Sequence, residues 1–335
     1  MIYTSHDSAG FIKVLSFLKS HNSEYLSGQD VSDLLKISRV AVWKHIKKIR
    51  ALGYKIESKQ KLGYRLIKDT TLPLPWEITD NLKTKLIGKK TYYFDSIDST
   101  QNFAQRLASD HNENGSVVVA RKQITGRGRH KRRWLSPQGG IWLSVILQPS
   151  FDISVATVFP LAVGLALANT IEQSYKIKPS LKWPNDVTID GKKVAGILID
   201  ASIEATKIEY LVLGVGINFQ INAKDIEKKI RNTPNFCGVT TLVNEKTPVS
   251  PAPFIRKFLE ALEFWVKALE AHKADLVIAE WTKRSSTIGK FVDVFTSTGM
   301  MHGKAIKLDN DGALLLKSRG KMHKILEGDV LQKVK

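Results

Sequence analysis

Apolar residues near the start of the chain fall at helical spacing. Phe11, Val14, Leu15 and Leu18 recur three and four apart and predict an amphipathic helix. Ser27-Gly28-Gln29-Asp30 sets a serine N-cap three residues before an acid, a capping-box pattern, and Val31, Leu34 and Leu35 supply the stripe of a short second helix. Ser38 caps a third, with Val42, Ile46 and Ile49 as its buried face and Leu52 before a terminating Gly53. The opposite face is Arg39, Lys44, Lys47, Lys48 and Arg50. Beyond Gly53 the period drops to two: residues 54–57 and 62–66 alternate on either side of a polar turn at 58–61, which predicts a hairpin. Three helices and a hairpin within residues 1–68 predict a winged helix-turn-helix, the arrangement that lays a basic helix in a DNA major groove. Ser27, Gly28, Ser38, Arg39, Lys44, Lys47 and Lys48 are its expected DNA-facing residues. A small helical protein-interaction domain with a solvated basic face fits the same pattern.

Residues 70–75, Thr-Thr-Leu-Pro-Leu-Pro, read as a connector that cannot continue a helix, within a linker over 69–80. Over 81–284 the pattern predicts strands at 117–121 and 141–147 and a buried helix at 158–175. A hairpin of 187–189 and 194–200 follows around Asp190-Gly191, then a strand at 210–218 and an amphipathic helix at 253–272. That sequence of elements predicts a mixed sheet with helices, not a regular βαβ series. Over 285–335, short strands at 291–296, 304–308, 313–316 and 322–326 are parted by Thr298-Gly299, Asn310-Asp311-Gly312 and Arg319-Gly320, the turn chemistry of a small β-barrel. The expected fold class is α+β, with several domains.

Composition narrows the partners. The chain has 335 residues, long enough for two or three domains, and its longest apolar run, 158–168, is broken by Pro160 and Gly164 and far shorter than the ~20 residues of a membrane span. The N-terminus lacks the pattern of a secretion signal and the single cysteine, Cys237, cannot form an internal disulfide, so a cytoplasmic protein is expected. Net charge is +19, and residues 1–68 carry 13 Lys/Arg against 5 Asp/Glu, which favours nucleic acid as the partner of the first module.

Three motifs carry candidate chemistry. Seven of the thirteen residues from Arg121 to Arg133 are basic, and Gly126-Arg127-Gly128-Arg129 lies at their centre. Glycines let a backbone approach an anion, arginines supply planar forks for carboxylate or phosphate oxygens, and Trp134 offers a face for stacking on a ring. A non-specific nucleic-acid patch has the same composition. The second motif is Lys182-Trp183-Pro184-Asn185-Asp186, followed across the hairpin by Lys192-Lys193-Val194-Ala195-Gly196. A lysine between apolar strands needs ligands or partners, although a proline turn held by Asn and Asp fits the pentapeptide as well. The third, Gly214-Val215-Gly216-Ile217-Asn218, has Phe219 where a dinucleotide-binding loop needs its third glycine. There is no P-loop, no His/Cys spacing for zinc and no nucleophile elbow at Ser99 or Ser144.

Asp98-Ser99-Thr100, Gln123 with Gly126 to Arg129, Lys182 to Asp186, Lys193 to Gly196 and Gly214 to Asn218 stand in an order and spacing that resembles the biotin protein ligases. The leading module and trailing barrel resemble the bifunctional type, ligase and biotin-operon repressor in one chain. The resemblance implies a central catalytic domain like those of biotin ligases and class II synthetases, and an SH3-like C-terminal domain. It implies that Ser99, Thr100, Gln101 and Gln123 line a biotin pocket, joined by Gly126 and Gly196. Arg127, Gly128 and Arg129 would close over biotin and its adenylate, and Lys193 would contact the biotin carboxylate. Asn185, Asn218 and Lys182 would face ATP, with Trp134 near the adenine, and Arg127, Arg129 and Lys193 would be the catalytic cations. Mg²⁺, a biotin carboxyl carrier domain of a biotin-dependent carboxylase, operator DNA and a homodimer are implied too. Relatives often have Asn directly after Ser-Thr, where this chain has Gln101 and then Asn102, leaving open which side chain reaches the biotin ring; Lys131 stands where a glycine is frequent. A regulator that only senses a ligand, or a ligase for another acid such as lipoate, shares many of these features.

Overall fold

Both predicted serine caps close helix N-termini. After β1 (Ile2–Thr4) and α1 (Gly10–Ser20), Ser27 Oγ accepts from the Asp30 N–H at 3.0 Å to open α2 (Gly28–Leu35). Ser38 Oγ accepts from the Ala41 N–H at 3.1 Å to open α3 (Arg39–Ala51). Each hydroxyl serves a donor that the helix cannot satisfy itself. Val42, Ile46 and Ile49 are buried with Phe11, Val14, Leu15 and Leu18. Leu34 departs from its predicted stripe and is 58% exposed, because α2 spans two turns and the chain reverses at the left-handed Lys36. The wing is β2 (Lys55–Lys59) paired antiparallel with β3 (Gly63–Lys68). Gly63 has φ +106°, and a Cβ there would lie 2.0 Å from the Leu26 carbonyl oxygen, so glycine is what lets the wing pair with the segment before α2.

The chain is described here by a computed structural model over residues 2–4, 10–21, 24–205, 207–233, 236–244 and 246–331; parts of the predicted 1–68 and 285–335 segments lie outside the described residues. The stretch expected to be a connector is a packed joint. Pro75 starts α4 (Pro75–Thr79), where a missing N–H costs nothing. Leu74 and Ile78 are fully buried, and Thr70 Oγ1 donates to the Leu52 carbonyl at 2.6 Å. Glu77 ties three segments together: the Tyr54 hydroxyl donates to it at 2.5 Å, Lys19 Nζ lies 2.6 Å away, and Arg256 donates to its carbonyl. Burial and the Glu77 charge push the Tyr54 pKa far up, which keeps its hydroxyl a donor.

The central domain runs β4 (Thr91–Phe94), α5 (Thr100–Leu107), β5 (Val117–Ala120), β6 (Ile141–Leu147), α6 (Phe159–Tyr175), β7 (Ser180–Lys182), β8 (Asp186–Ile189), β9 (Lys192–Glu204), β10 (Lys207–Ile217), α7 (Ala223–Ile230), α8 (Ala252–Glu270) and α9 (Ala274–Lys283). Its sheet has the order β1-β4-β5-β6-β10-β9-β8-β7, antiparallel except between β4 and β5. Ile2–Thr4, read from sequence as part of the first module, is thus the sheet's edge strand, paired with Tyr92 to Phe94. Alternation then sorts the faces. Val117, Val119, Val145, Leu211 and Leu213 face the core filled by α6, α8 and α9, whereas Val118, Ile146 and Val212 face α5.

The C-terminal domain is β11 (Phe291–Thr296), β12 (Gly299–Leu308), β13 (Leu314–Ser318), β14 (Lys321–Ile325) and β15 (Asp329–Leu331), an antiparallel SH3-like unit in the order β14-β13-β12-β11-β15. Its buried Val292, Val294, Ala305 and Leu316 join the central core. Trp183 Nε1 donates to the Gly312 carbonyl at 3.1 Å, so this domain braces the Lys-Trp-Pro-Asn-Asp segment. No helix among the described residues is long and apolar enough to cross a membrane.

One buried carboxylate anchors the entry to the central domain. Glu263 of α8 accepts from the N–H groups of Lys85, Leu86 and Ile87 at 2.8 to 3.0 Å and pairs with Lys267 at 2.6 Å. Burial alone would raise its pKa, but the Lys267 bond and the three amides outweigh it and hold the group at about 2 against an ordinary 4.5. Its stabilising contribution is complete above pH 4.5 and is lost as the pH falls toward 2. Glu263→Gln is expected to cost about 2–3 kcal/mol near neutral pH and to flatten the acid limb of stability. Denaturant midpoints of both proteins across the acid range check this; parallel curves would refute it.

Candidate active site

Three glycines strip one face of the sheet. Gly214 and Gly216 of β10 point to the α5 side, and Gly196 of β9 is the cross-strand partner of Gly216. A Cβ on Gly216 would lie 2.5 Å from Trp134 Nε1, one on Gly196 2.8 Å from the same indole, and one on Gly214 2.6 Å from Gln101 Oε1. The third motif is therefore a bare floor for an indole and an amide, with Val215 turned into the core on the other side.

Above the floor is a cavity of about 670 Å³. It brings together Ser99, Thr100, Gln101, Gln123, Arg127, Gly128, Arg129, Trp134, Lys182, Asn185, Lys193, Gly196 and Asn218, from segments more than a hundred residues apart. Gly126 is the exception among the expected pocket residues. It is packed inside the loop, where a Cβ would meet Ser136 Oγ and the Trp134 carbonyl at 2.5 Å. The basic loop is a folded lid, not an open coil. Gly128 N–H donates to the Arg132 carbonyl at 2.8 Å, Trp134 N–H to the Gly126 carbonyl at 2.9 Å, and His130 and Lys131 turn the tip with positive φ.

Three arginines of the lid have protein anions. Arg127 donates to Asn102 Oδ1 and Gln105 Oε1 at 2.9 and 3.1 Å and lies 3.5 Å from Asp200. Arg129 reaches Asn185 Oδ1 and the Gly328 carbonyl, both at 3.2 Å, with Glu327 and Asp329 at 3.4 and 3.5 Å, and Arg132 pairs with Asp329. Burial lowers the Arg129 pKa, opposed by the charges of Glu327 and Asp186. Lys193 pairs with Asp186 at 2.6 Å, with its ammonium 5.0 Å from the centre of the Trp134 ring. Lys182 differs. It is buried, and its ammonium has no hydrogen bond or ion pair among the described residues.

The two residues left open after Ser99-Thr100 are both engaged. Gln101 bonds Val212, Ser144 and Asp200, and Asn102 bonds Asp98 and the lid's Arg127. Asn218 is 5% exposed and donates to the Lys193 carbonyl at 3.2 Å, so it holds the start of β9 at the cavity wall. Ser99, Thr100, Gln101 and Gln123, grouped by the resemblance, line the cavity together with Ser144, which the sequence reading left as part of the strand at 141–147.

In the first module, Arg39, Lys44 and Lys47 project to solvent, while Ser27 and Ser38 spend their oxygens on caps and Lys48 lies 4.1 Å over the Phe11 ring. Arg50 donates to the Ile56 carbonyl and pins the wing. Charge patterning missed Val40 and Trp43, 62% and 52% exposed on the same helix, beside a groove bounded by the wing.

A cation-lined cavity under a basic lid, on a glycine-cleared mixed sheet, is the site of a domain joined here to a winged helix-turn-helix, and comparison with known proteins gives its class. The profile of the biotin/lipoate A/B protein ligase family matches residues 93–218, and that of a helix-turn-helix domain matches residues 12–65. The bifunctional ligase/repressor BirA of Bacillus spizizenii is 34% identical over 95% of this chain and 97% of its own length, and that of Escherichia coli 26% identical over 95% and 96%. The structure of a biotin protein ligase from Aquifex aeolicus in complex with biotin and ATP superposes with a TM-score of 0.61 at 27% identity, covering 74% of this chain and 98% of that one. The chain belongs to the bifunctional ligase/repressor family, biotin protein ligases that carry a helix-turn-helix repressor domain.

If the bare floor seats the lid, Gly216→Ala must displace the Trp134 indole, since its backbone φ suits alanine. Tryptic cleavage within residues 127–133 should rise several-fold while far-UV circular dichroism stays unchanged. Unaltered cleavage would contradict the role given to these glycines.

Proposed function

We propose that this chain activates biotin with ATP and transfers it to a lysine of a biotin carboxyl carrier domain, and that its first module binds operator DNA as a homodimer in response to biotin. A biotin carboxylate oxygen attacks the α-phosphorus of ATP and pyrophosphate leaves; the neutral amine of the carrier lysine then attacks the acyl carbon of biotinyl-5′-AMP, and AMP leaves as the amide forms and the amine loses a proton. The observation that carries this reading is the convergence of Arg127, Arg129, Lys182 and Lys193 on one cavity beside Trp134.

Bringing a carboxylate to a triphosphate sets anion against anion, so fixed cations lower the barrier most where charge accumulates. Lys193 and Arg127 suit the carboxylate end and Arg129 and Lys182 the phosphates, with Ser99, Thr100 and Gln123 offering polar groups to the biotin ring. No protein nucleophile is required. Trp134 and the lid restrict water, which would hydrolyse the mixed anhydride before the carrier arrives. Mg²⁺ would ease charge on the phosphates when bound. Asp186 and Asp329, both at the cavity, are too few to cage a metal but suit one that enters on ATP, and no cluster of three metal-binding side chains exists among the described residues.

Incubation with biotin, ATP and a carrier domain should add one biotinyl group to a single carrier lysine by mass spectrometry; no transfer would refute the ligase reading. Arg129→Gly is expected to release biotinyl-5′-AMP at least about tenfold faster, about 1.4 kcal/mol of retention, and to biotinylate bystander lysines. Wild-type retention in that variant would refute the lid's role. For the DNA-binding module, footprints on biotin-gene promoters should strengthen with biotin and ATP and cover two half-sites, as a two-fold dimer requires. Binding indifferent to sequence would refute repression.

A further inference from the structure

Asp200 of β9 stands outside the residues singled out from sequence, yet three side chains of the site meet at its carboxylate. Its Oδ2 accepts from Gln101 Nε2 at 3.0 Å and from Gln105 Nε2 at 2.7 Å, and Arg127 Nη2 lies 3.5 Å away. Gln101 belongs to the pocket floor, Gln105 to the next turn of α5, and Arg127 to the lid. Arg127 also donates to Gln105 Oε1 at 3.1 Å, which closes a ring from carboxylate to amide to guanidinium.

The floor branch continues through the site. Gln101 Nε2 donates its second proton to the Val212 carbonyl at 2.8 Å, and its Oε1 accepts from Ser144 Oγ at 2.9 Å. Ser144 Oγ lies 2.9 Å from Thr100 Oγ1, Thr100 N–H donates to Gln123 Oε1 at 2.8 Å, and Gln123 Nε2 donates to Ser136 Oγ at 2.8 Å, where the lid segment ends. A hydroxyl has one proton. Ser144 commits its proton to Gln101, and the Thr100 hydroxyl proton faces two acceptors, Ser144 Oγ at 2.9 Å and Gln123 Oε1 at 3.1 Å. This polarity begins at Asp200, which as a carboxylate only accepts. A flipped Gln101 would point its oxygen at both Asp200 and the Val212 carbonyl, an arrangement with no donor on either side.

We propose that Asp200 is a positioning residue for the ligase reaction, orienting the biotin-pocket floor through Gln101 and the lid through Arg127 from a single carboxylate oxygen. It makes the two parts of the site set together. The inference rests on the biotin-ligase reading and adds to it a residue whose effect falls on biotin and on the retained adenylate, not on ATP. Gly214 belongs to the same device, since any side chain there would collide with Gln101 Oε1.

The test compares wild type with Asp200→Ala, Asp200→Asn and Asp200→Glu. Pyrophosphate release gives KM for biotin, KM for ATP and kcat; a chase gives the rate of adenylate loss. Asp200→Ala is expected to raise the biotin KM and the adenylate loss rate each about tenfold or more, with the ATP KM within about twofold. Asp200→Asn, which keeps an acceptor for Gln101 but loses the charge facing Arg127, should speed adenylate loss more than it raises the biotin KM, and it serves if the alanine variant does not fold. Asp200→Glu should recover the biotin KM to within about threefold of wild type. A biotin KM unmoved in Asp200→Ala, an ATP KM that rises in step with it, or a glutamate no better than alanine overturns the inference. A wild type that forms no adenylate overturns the ligase reading itself, whereas an active wild type with an indifferent Asp200→Ala overturns the inference alone.

Discussion

Cations gathered around one cavity repel one another, so carboxylates set against them steady the arrangement. The arrangement of carboxylates in this chain answers that constraint. Asp200 faces Arg127, Asp186 faces Lys193, and the Glu327 to Asp329 segment faces Arg129 and Arg132. The cations of the cavity are thus kept in place by the protein's own carboxylates.

The constraint also explains why two domains share one site. Asp200 and Asp186 belong to the central sheet, but Glu327 and Asp329 come from the C-terminal unit, which contacts the Trp183 indole through Gly312 as well. The first module is joined as firmly. Ile2–Thr4 extends the sheet beside β4, Glu77 links Tyr54 and Lys19 to Arg256 of α8, and the Tyr3 ring packs near Trp76 and Tyr93. A joint built this way transmits orientation, as a loose tether could not. It gives α3 a defined stance relative to the sheet under the cavity.

Much of this was legible in the residues. The helical stripe of the first module, both serine caps and the wing follow from period and cap chemistry, and the strand at Ile141–Leu147 falls on its predicted bounds. Three elements were not legible: β4, whose Thr-Tyr-Tyr-Phe does not alternate, α5, which buries Thr100, Gln101 and Ala104 in place of an apolar stripe, and α7, whose polar face masked its one buried residue, Ile226. The Pro-rich stretch misled because proline bars a helix interior but suits its first turn.

By itself the sequence determined the inventory: a basic helix-turn-helix, a lid of arginines and glycines, a lysine among apolar strands, and a strand with alternating glycines. Those properties reside in the neighbours of each residue along the chain. Only the tertiary structure decided that Gly214, Gly216 and Gly196 form one floor, that Gln101 turns inward to Ser144, and that Asp200 and Asp329 are the anions of the lid. Such pairings join residues as far apart as Arg129 and Asp329, and no local pattern records which distant carboxylate a charge will meet.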